Sequence, residues 1–225
     1  MSDKKKDDLP EKGAIVQRDY ETYAIAPHLP GGVCDPATLR KIADVGEKYN
    51  AKALKLTSAQ RVAIVGIREE DIDDAWRDLG IPPGHAIGLC VRSVKFCPGT
   101  TFCKRGNQDS VTLGIEFDKR YHGMDLPSKF KIGVSGCTNC CAESWIKDLG
   151  FIGTPKGWKV VVGGCAGAIP SIAEVIAEDL SDDDAIALAD KIINHYESCD
   201  TKKRLGRYIK KIGLEEFKKD LRLQK

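Results

Sequence analysis

Nowhere in its 225 residues does the chain hold an uninterrupted apolar stretch long enough to span a membrane. A secretory leader is missing too: Met1-Ser-Asp-Lys-Lys-Lys-Asp-Asp is a charged run with no apolar segment behind it. The two absences make the cytoplasm the expected location and argue against a membrane partner. Net charge is nearly absent, since 35 Lys and Arg stand against 33 Asp and Glu, a formal +2. Without a long basic stripe, nucleic acid is an unsuitable partner and any positive field has to be local. There is no G-x-G-x-x-G or Walker pattern, so the glycines supply no nucleotide site. The four histidines, His28, His85, His122 and His195, form no close motif, and no segment repeats.

Against these absences stand nine cysteines. In a reducing compartment that many thiols point to metal ligands or free thiols rather than disulfides. Four fall in two pairs, Cys97-Pro-Gly-Thr-Thr-Phe-Cys103 and Cys137-Thr-Asn-Cys140-Cys141; with Cys141 as the later partner, C-x5-C is followed after 33 residues by C-x3-C. A cube-shaped 4Fe-4S cluster needs four thiolates converging from one side. Short loops allow this, and Gly99 and Gly136 supply the tight turns. Structural zinc prefers C-x2-C knuckles, which only Cys137 and Cys140 provide. Cys34, Cys90 and Cys199 read as small core or surface residues. Cys165 lies in Gly163-Gly164-Cys165-Ala-Gly167, either a tight turn or a loop whose amides approach a carboxylate or sulfur.

At 42% hydrophobic residues the chain can bury a real core. Residues 1–12 are charge-dense and read as a disordered, solvated tail. Strands are expected at Ala14–Gln17, Tyr20–Ala26, Ala51–Leu56 and Arg61–Ile67. Helices are expected after Asp35-Pro36, with Asp35 as cap, and at Glu70–Leu79, closed by Gly80. Ile81-Pro82-Pro83-Gly84 marks the boundary candidate, giving domains at 13–82, 83–180 and a C-terminal helical segment, 181–225. In the second domain Ser110–Tyr121 reads as a helix, Phe130–Val134 and Gly157–Val162 as strands, and Ala142–Leu149 and Ser171–Leu180 as helices. A helix capped at Ser181 follows, then helices at Lys202–Ile212 and Leu214–Leu221. The fold class is α+β.

The residues around the cysteines carry a family resemblance. Cys90-Val-Arg92-Ser-Val-Lys95-Phe-Cys97 through Gln108-Asp109-Ser, Lys129-Phe-Lys131-Ile-Gly-Val-Ser-Gly136-Cys137, Cys141-Ala-Glu143-Ser, Asp148-Leu-Gly-Phe-Ile-Gly and Gly157-Trp-Lys-Val-Val-Val-Gly163-Gly164 strongly resemble the sirohaem and 4Fe-4S part of the nitrite and sulfite reductases. Leu29-Pro30-Gly31-Gly32 and Leu56-Thr57-Ser-Ala-Gln60 look like the ferredoxin-like half-domain that precedes it, so the likeness runs from about residue 14 to 215. Short length and a single copy look most like the low-molecular-weight assimilatory-type sulfite reductases of anaerobes.

The resemblance implies a ferredoxin-like half-domain followed by a sirohaem/4Fe-4S domain with C-terminal helices. It implies an oxidoreductase that takes sulfite to sulfide with six electrons from an external donor such as ferredoxin. Alternatives are nitrite reduction, or a non-catalytic electron-transfer or sirohaem-handling protein. Cys97, Cys103, Cys137 and Cys141 would hold the cluster, Cys141 also bridging to the sirohaem iron. Arg92, Lys129 and Lys131 would bind the anion, and Arg92, Lys55, Gln60 and Arg61 the sirohaem, whose eight carboxylates need cations. Two family arginines are missing: Ala26 and His28 occupy the stretch of one, and Ala59 replaces the other, leaving Lys55 or Arg61 to compensate. With no second module to cover the macrocycle, a homodimer is expected unless the C-terminal helices fold over it.

Overall fold

The computed structural model describes residues 5–223. The chain forms two compact units that divide between Gly88 and Leu89. The first holds β1 (Ala14–Val16), β2 (Thr22–Ile25), α1 (Pro36–Lys48), β3 (Ala53–Leu56), β4 (Val62–Arg68) and α2 (Ile72–Leu79). Its antiparallel sheet runs β1-β2-β4-β3. Asp35 accepts the Thr38 N–H at 2.7 Å and so caps α1, with Pro36 in the first helical position. Gly80 ends α2 at φ 58°, a left-handed cap that costs glycine little. Ile25, Ile42, Ile64, Ile67 and Leu79 are buried together between sheet and helices.

Residues 5–12 depart from the expected solvated tail. Asp8 accepts the Val16 N–H, Lys6 and Lys12 pair with Glu69 and Asp73 at 2.7 and 2.6 Å, and the Trp76 indole donates to the Lys12 carbonyl. Charge density kept the segment at the surface, but its charges find partners on the same unit. The first four positions of the expected tail lie outside the described residues.

The second unit contains β5 (Lys95–Phe96), α3 (Gly99–Phe102), α4 (Ser110–Tyr121), β6 (Ile132–Ser135), β7 (Leu149–Thr154), β8 (Gly157–Val162), β9 (Glu174–Leu180), α5 (Asp182–Ser198), α6 (Leu205–Ile212) and α7 (Leu214–Asp220). Its sheet runs in that strand order, with β5, β6 and β7 parallel and β8 and β9 antiparallel. Parallel pairing of β5 with β6 requires a crossover, which α4 provides. The core packs Phe117 against Phe151 at 4.6 Å between ring centres and Phe130 against Tyr196 at 5.8 Å, both pairs tilted. Leu188, Ile192, Leu205, Ile209 and Phe217 join that core, so the C-terminal helices are built into this unit.

Two expected helices are absent. Between Ala142 and Leu149 there is only one tight turn, Ser144–Ile146, before β7 begins. The Ser144 hydroxyl lies 3.1 and 3.0 Å from the Gly133 and Phe151 carbonyls, offering the chain an alternative to helical bonding. Residues 174–180 form β9, where Trp158 faces Leu180 and Val162 faces Glu174. Its β-branched Val175 and Ile176 suit a sheet better than a helix, and pairing with β8 decides the matter. Among the described residues no helix is long and apolar enough to cross a membrane.

Candidate metal centre

Register determines where the thiols go. Lys95 pairs with Gly133 and Phe96 with Val134 in parallel, so the chain leaves β5 and β6 at the same end of the sheet. Cys97 is the next residue after β5, and Gly136-Cys137 follow directly after β6. The two loops are stitched by backbone bonds. Asn107 and Gln108 both donate to the Gly136 carbonyl, at 2.8 and 3.0 Å, and Thr100 donates to Gln108. The Gly136 N–H reaches the Cys97 sulfur at 3.1 Å. A Cβ on Gly136 would sit 2.6 Å from the Gly99 Cα, so glycine is what lets the loops touch. Asp109 accepts the Val111 and Thr112 N–H groups, anchoring α4 just past the first loop.

Cys140 and Cys141 face different surroundings. Cys140, at φ 56°, packs against the apolar cluster of Ile152, Val161 and Ala173 and accepts from Ser135 at 3.7 Å. Cys141 is exposed, whereas Cys97, Cys103 and Cys137 are half-buried. Four thiols on loops gathered at one sheet end, with glycines holding the backbones close, fit a cluster of the thiolate-bound kind.

The face of β5 and β6 turned away from the core is cationic. Phe130, Ile132 and Val134 enter the core, so Gly133 and Ser135 face the other side by strand alternation, with Lys131 directly before them and the Lys129 charge near Lys131. Lys95 lies beside Gly133 there, and the Lys147 stem crosses so near that a Gly133 Cβ would meet its Cγ at 2.8 Å. Glu143 bridges Lys147 at 2.8 Å and Lys95 at 3.1 Å. Those lysines, Lys147 most, hold its carboxyl below the ordinary range. Lys129 is exposed and Lys131 half-buried. Burial, then the neighbouring Lys129, Lys147 and Arg204 charges, push the Lys131 ammonium below its usual value. Arg92 is buried, which lowers its pKa, and its N–H donates to the Phe130 carbonyl.

Beyond Lys131, Asp148 is fully buried. It takes the Lys131 N–H at 2.9 Å and pairs with Arg204, whose other nitrogen meets the Cys165 sulfur at 2.9 Å. Burial raises the Asp148 carboxyl, and Arg204 opposes it. A cavity of about 410 Å³ opens here, lined by Cys165, Lys203, Arg204, Arg207 and Lys210 among others. Lys95, Glu143, Lys147 and Arg204 were not singled out in the sequence. The i,i+4 spacing of Glu143 and Lys147 was the available signal on the helix expected over Ala142–Leu149, but their meeting with Lys95 depends on which strand lies beside which.

In the first unit, Lys55, Gln60 and Arg61 gather on the β3–β4 hairpin. Lys55 is exposed and donates to the Leu56 carbonyl. Gln60 takes φ 60°, with its Cβ packed where a Gly32 side chain would stand. Arg61 is buried and donates to the Gly84 carbonyl.

Comparison with known proteins finds two family descriptions. Residues 15–80 match the nitrite/sulfite reductase ferredoxin-like half domain, and residues 87–225 the nitrite and sulphite reductase 4Fe-4S domain. An assimilatory-type sulfite reductase of Nitratidesulfovibrio vulgaris is 42% identical over 208 residues, covering 92% of this chain and 95% of that protein. An NAD(P)H nitrite reductase of Bacillus subtilis is 38% identical over 89% of this chain, but this chain spans only 25% of its length. Among solved structures, dissimilatory sulfite reductase I superimposes with a TM-score of 0.80 at 14% identity, over 90% of this chain and 69% of that one. The NirA protein of Mycobacterium tuberculosis gives 0.77 at 22%, over 88% and 39%. Identities this low speak to the fold alone.

Proposed function

The chain belongs to the nitrite and sulfite reductase family, and from that premise we propose that it reduces sulfite to sulfide at a sirohaem coupled to a 4Fe-4S cluster. The observation that carries sulfite is the near end-to-end match to an assimilatory-type sulfite reductase. Similarity to nitrite reductases, each much longer than this chain, favours nitrite as the second reading.

Cys97, Cys103, Cys137 and Cys141 are the proposed cluster ligands, and Cys141 would also hold the sirohaem iron. Bound together, these groups would relay the six electrons of the reduction from an external carrier such as reduced ferredoxin. The remaining work falls to side chains. Arg92, Lys129 and Lys131 hold the anion by charge-assisted hydrogen bonds, and the two lysines hand protons to the oxygens that leave as water. Burial of Arg92 and Lys131 strengthens such contacts by excluding competing water. Inward-turned Cys140 supports Cys141 as the ligand.

Anaerobic turnover with reduced viologen tests the reading. Sulfide release well above nitrite consumption is expected. Preference for nitrite favours the second reading, and no turnover with either anion by cofactor-loaded protein leaves a carrier of the cofactors. One copy of each family domain per chain supports a homodimer, checked by light scattering on loaded protein.

A further inference from the structure

Lysines are rarely buried unless paired, yet the Lys95 and Lys147 side chains are only 13% and 9% exposed. Both are neutralised by one carboxylate, Glu143, which is itself 46% exposed and sits at the rim. Two nearly buried cations thus share a single anion that faces solvent. Each ammonium has three donors, and Glu143 occupies one of each. Its backbone, at φ 59°, is in the left-handed region that a non-glycine residue adopts uncommonly. The residue lies two positions past Cys141, and Lys95 pairs with Gly133, two residues past Lys131.

We propose that Lys95 and Lys147 are the seat of a sirohaem carboxylate and that Glu143 is its internal placeholder, displaced when the tetrapyrrole enters. The inference rests on the cofactor reading above. Exchanging one carboxylate for another keeps both lysines paired, so no charge is stranded in a low-dielectric site. The displaced Glu143 side chain moves from the rim into water, where its charge needs no partner. An ordinary structural bridge would have the opposite consequence, because losing Glu143 would then loosen the site.

The test is an anaerobic titration of metal-reconstituted, sirohaem-free protein with sirohaem, followed by the visible absorbance of the tetrapyrrole and by quenching of tryptophan emission, to which Trp145 contributes. Glu143→Gln removes the competitor and is expected to tighten uptake several-fold, with a faster binding phase. Lys147→Met and Lys95→Met should each weaken it roughly tenfold or more, the worth of a charge-assisted hydrogen bond, while Lys147→Arg retains most of it. Unchanged or weaker uptake by Glu143→Gln, in protein that melts normally, overturns the placeholder role. Wild-type protein that takes up no sirohaem sinks the cofactor reading itself, an outcome separable from the first because it needs no variant.

Discussion

Cys140 and Cys141 are neighbours with opposite fates, one packed against Ile152 and Val161, the other exposed. Serine at 141 should therefore strip the iron and acid-labile sulfide, or uncouple the haem from the cluster in the electron paramagnetic resonance spectrum. Serine at 140 should leave both nearly intact, and the reverse pattern would put the ligand one residue earlier. Lys131 yields a pH prediction. Its ammonium starts from an ordinary value of 10.5 and is lowered by burial and by Lys129, Lys147 and Arg204. It sheds its proton sooner as pH rises, so sulfite affinity should fall on the alkaline side in a window below 10.5, and Lys131→Arg should move that limb upward. Folding responds with the opposite sign: the cost of keeping this lysine charged in the native state is relieved as pH climbs through its lowered value. Sulfite-induced spectral shifts and melting curves against pH measure the two. Replacing Arg92 by Gln should weaken anion binding by about 1.5–3 kcal/mol. The meeting of the two cysteine-bearing loops at one sheet end fits the pattern their spacing suggested. The Lys95–Glu143–Lys147 group was not legible in the sequence, since it depends on which strand lies beside which.

Among the elements, those with strong terminal chemistry were readable. Asp35 accepts the amide expected of a helix cap, and α4 spans the expected Ser110–Tyr121. β8 likewise matches Gly157–Val162. The segments 142–149 and 171–180 misled because each mixes small, polar and apolar residues that satisfy a helical period locally. Their strand or turn form is imposed by Gly133, Phe151 and β8, partners outside the segments themselves. The pairing of β5 with β6 carries its own prediction. Gly136→Ala forces a Cβ to within 2.6 Å of the Gly99 Cα, which should destabilise the fold by about 1–3 kcal/mol. It should also lower iron incorporation; denaturant unfolding with iron assay is the check, and wild-type iron content would show that the loops tolerate separation.

For the whole molecule, the two compact units divide between Gly88 and Leu89, past the Pro-Gly-rich stretch expected as the boundary, and the C-terminal helices share the core of the second unit. Their lysines advertise an outer surface, and the buried Ile192, Tyr196 and Phe217 show only once α5 and α7 are packed on the sheet. Ending the chain after Leu180 should therefore expose the core of the second unit and yield protein that binds hydrophobic dyes and loses its cooperative melt. A soluble, cooperatively melting truncation would mean that the sheet holds itself together.

The backbone bonds from Asn107 and Gln108 to Gly136 hold the thiol-bearing loops together using main-chain atoms alone. Zinc fingers, by contrast, borrow their folding energy from the ion they bind. Iron starvation should then leave this protein shaped but disarmed: a chelator ought to spare its far-ultraviolet dichroism while exposing closely held thiols to air. The hazard facing a newly made chain is thus oxidation before loading rather than unfolding, and how long it stays rescuable is set by the redox poise of its surroundings.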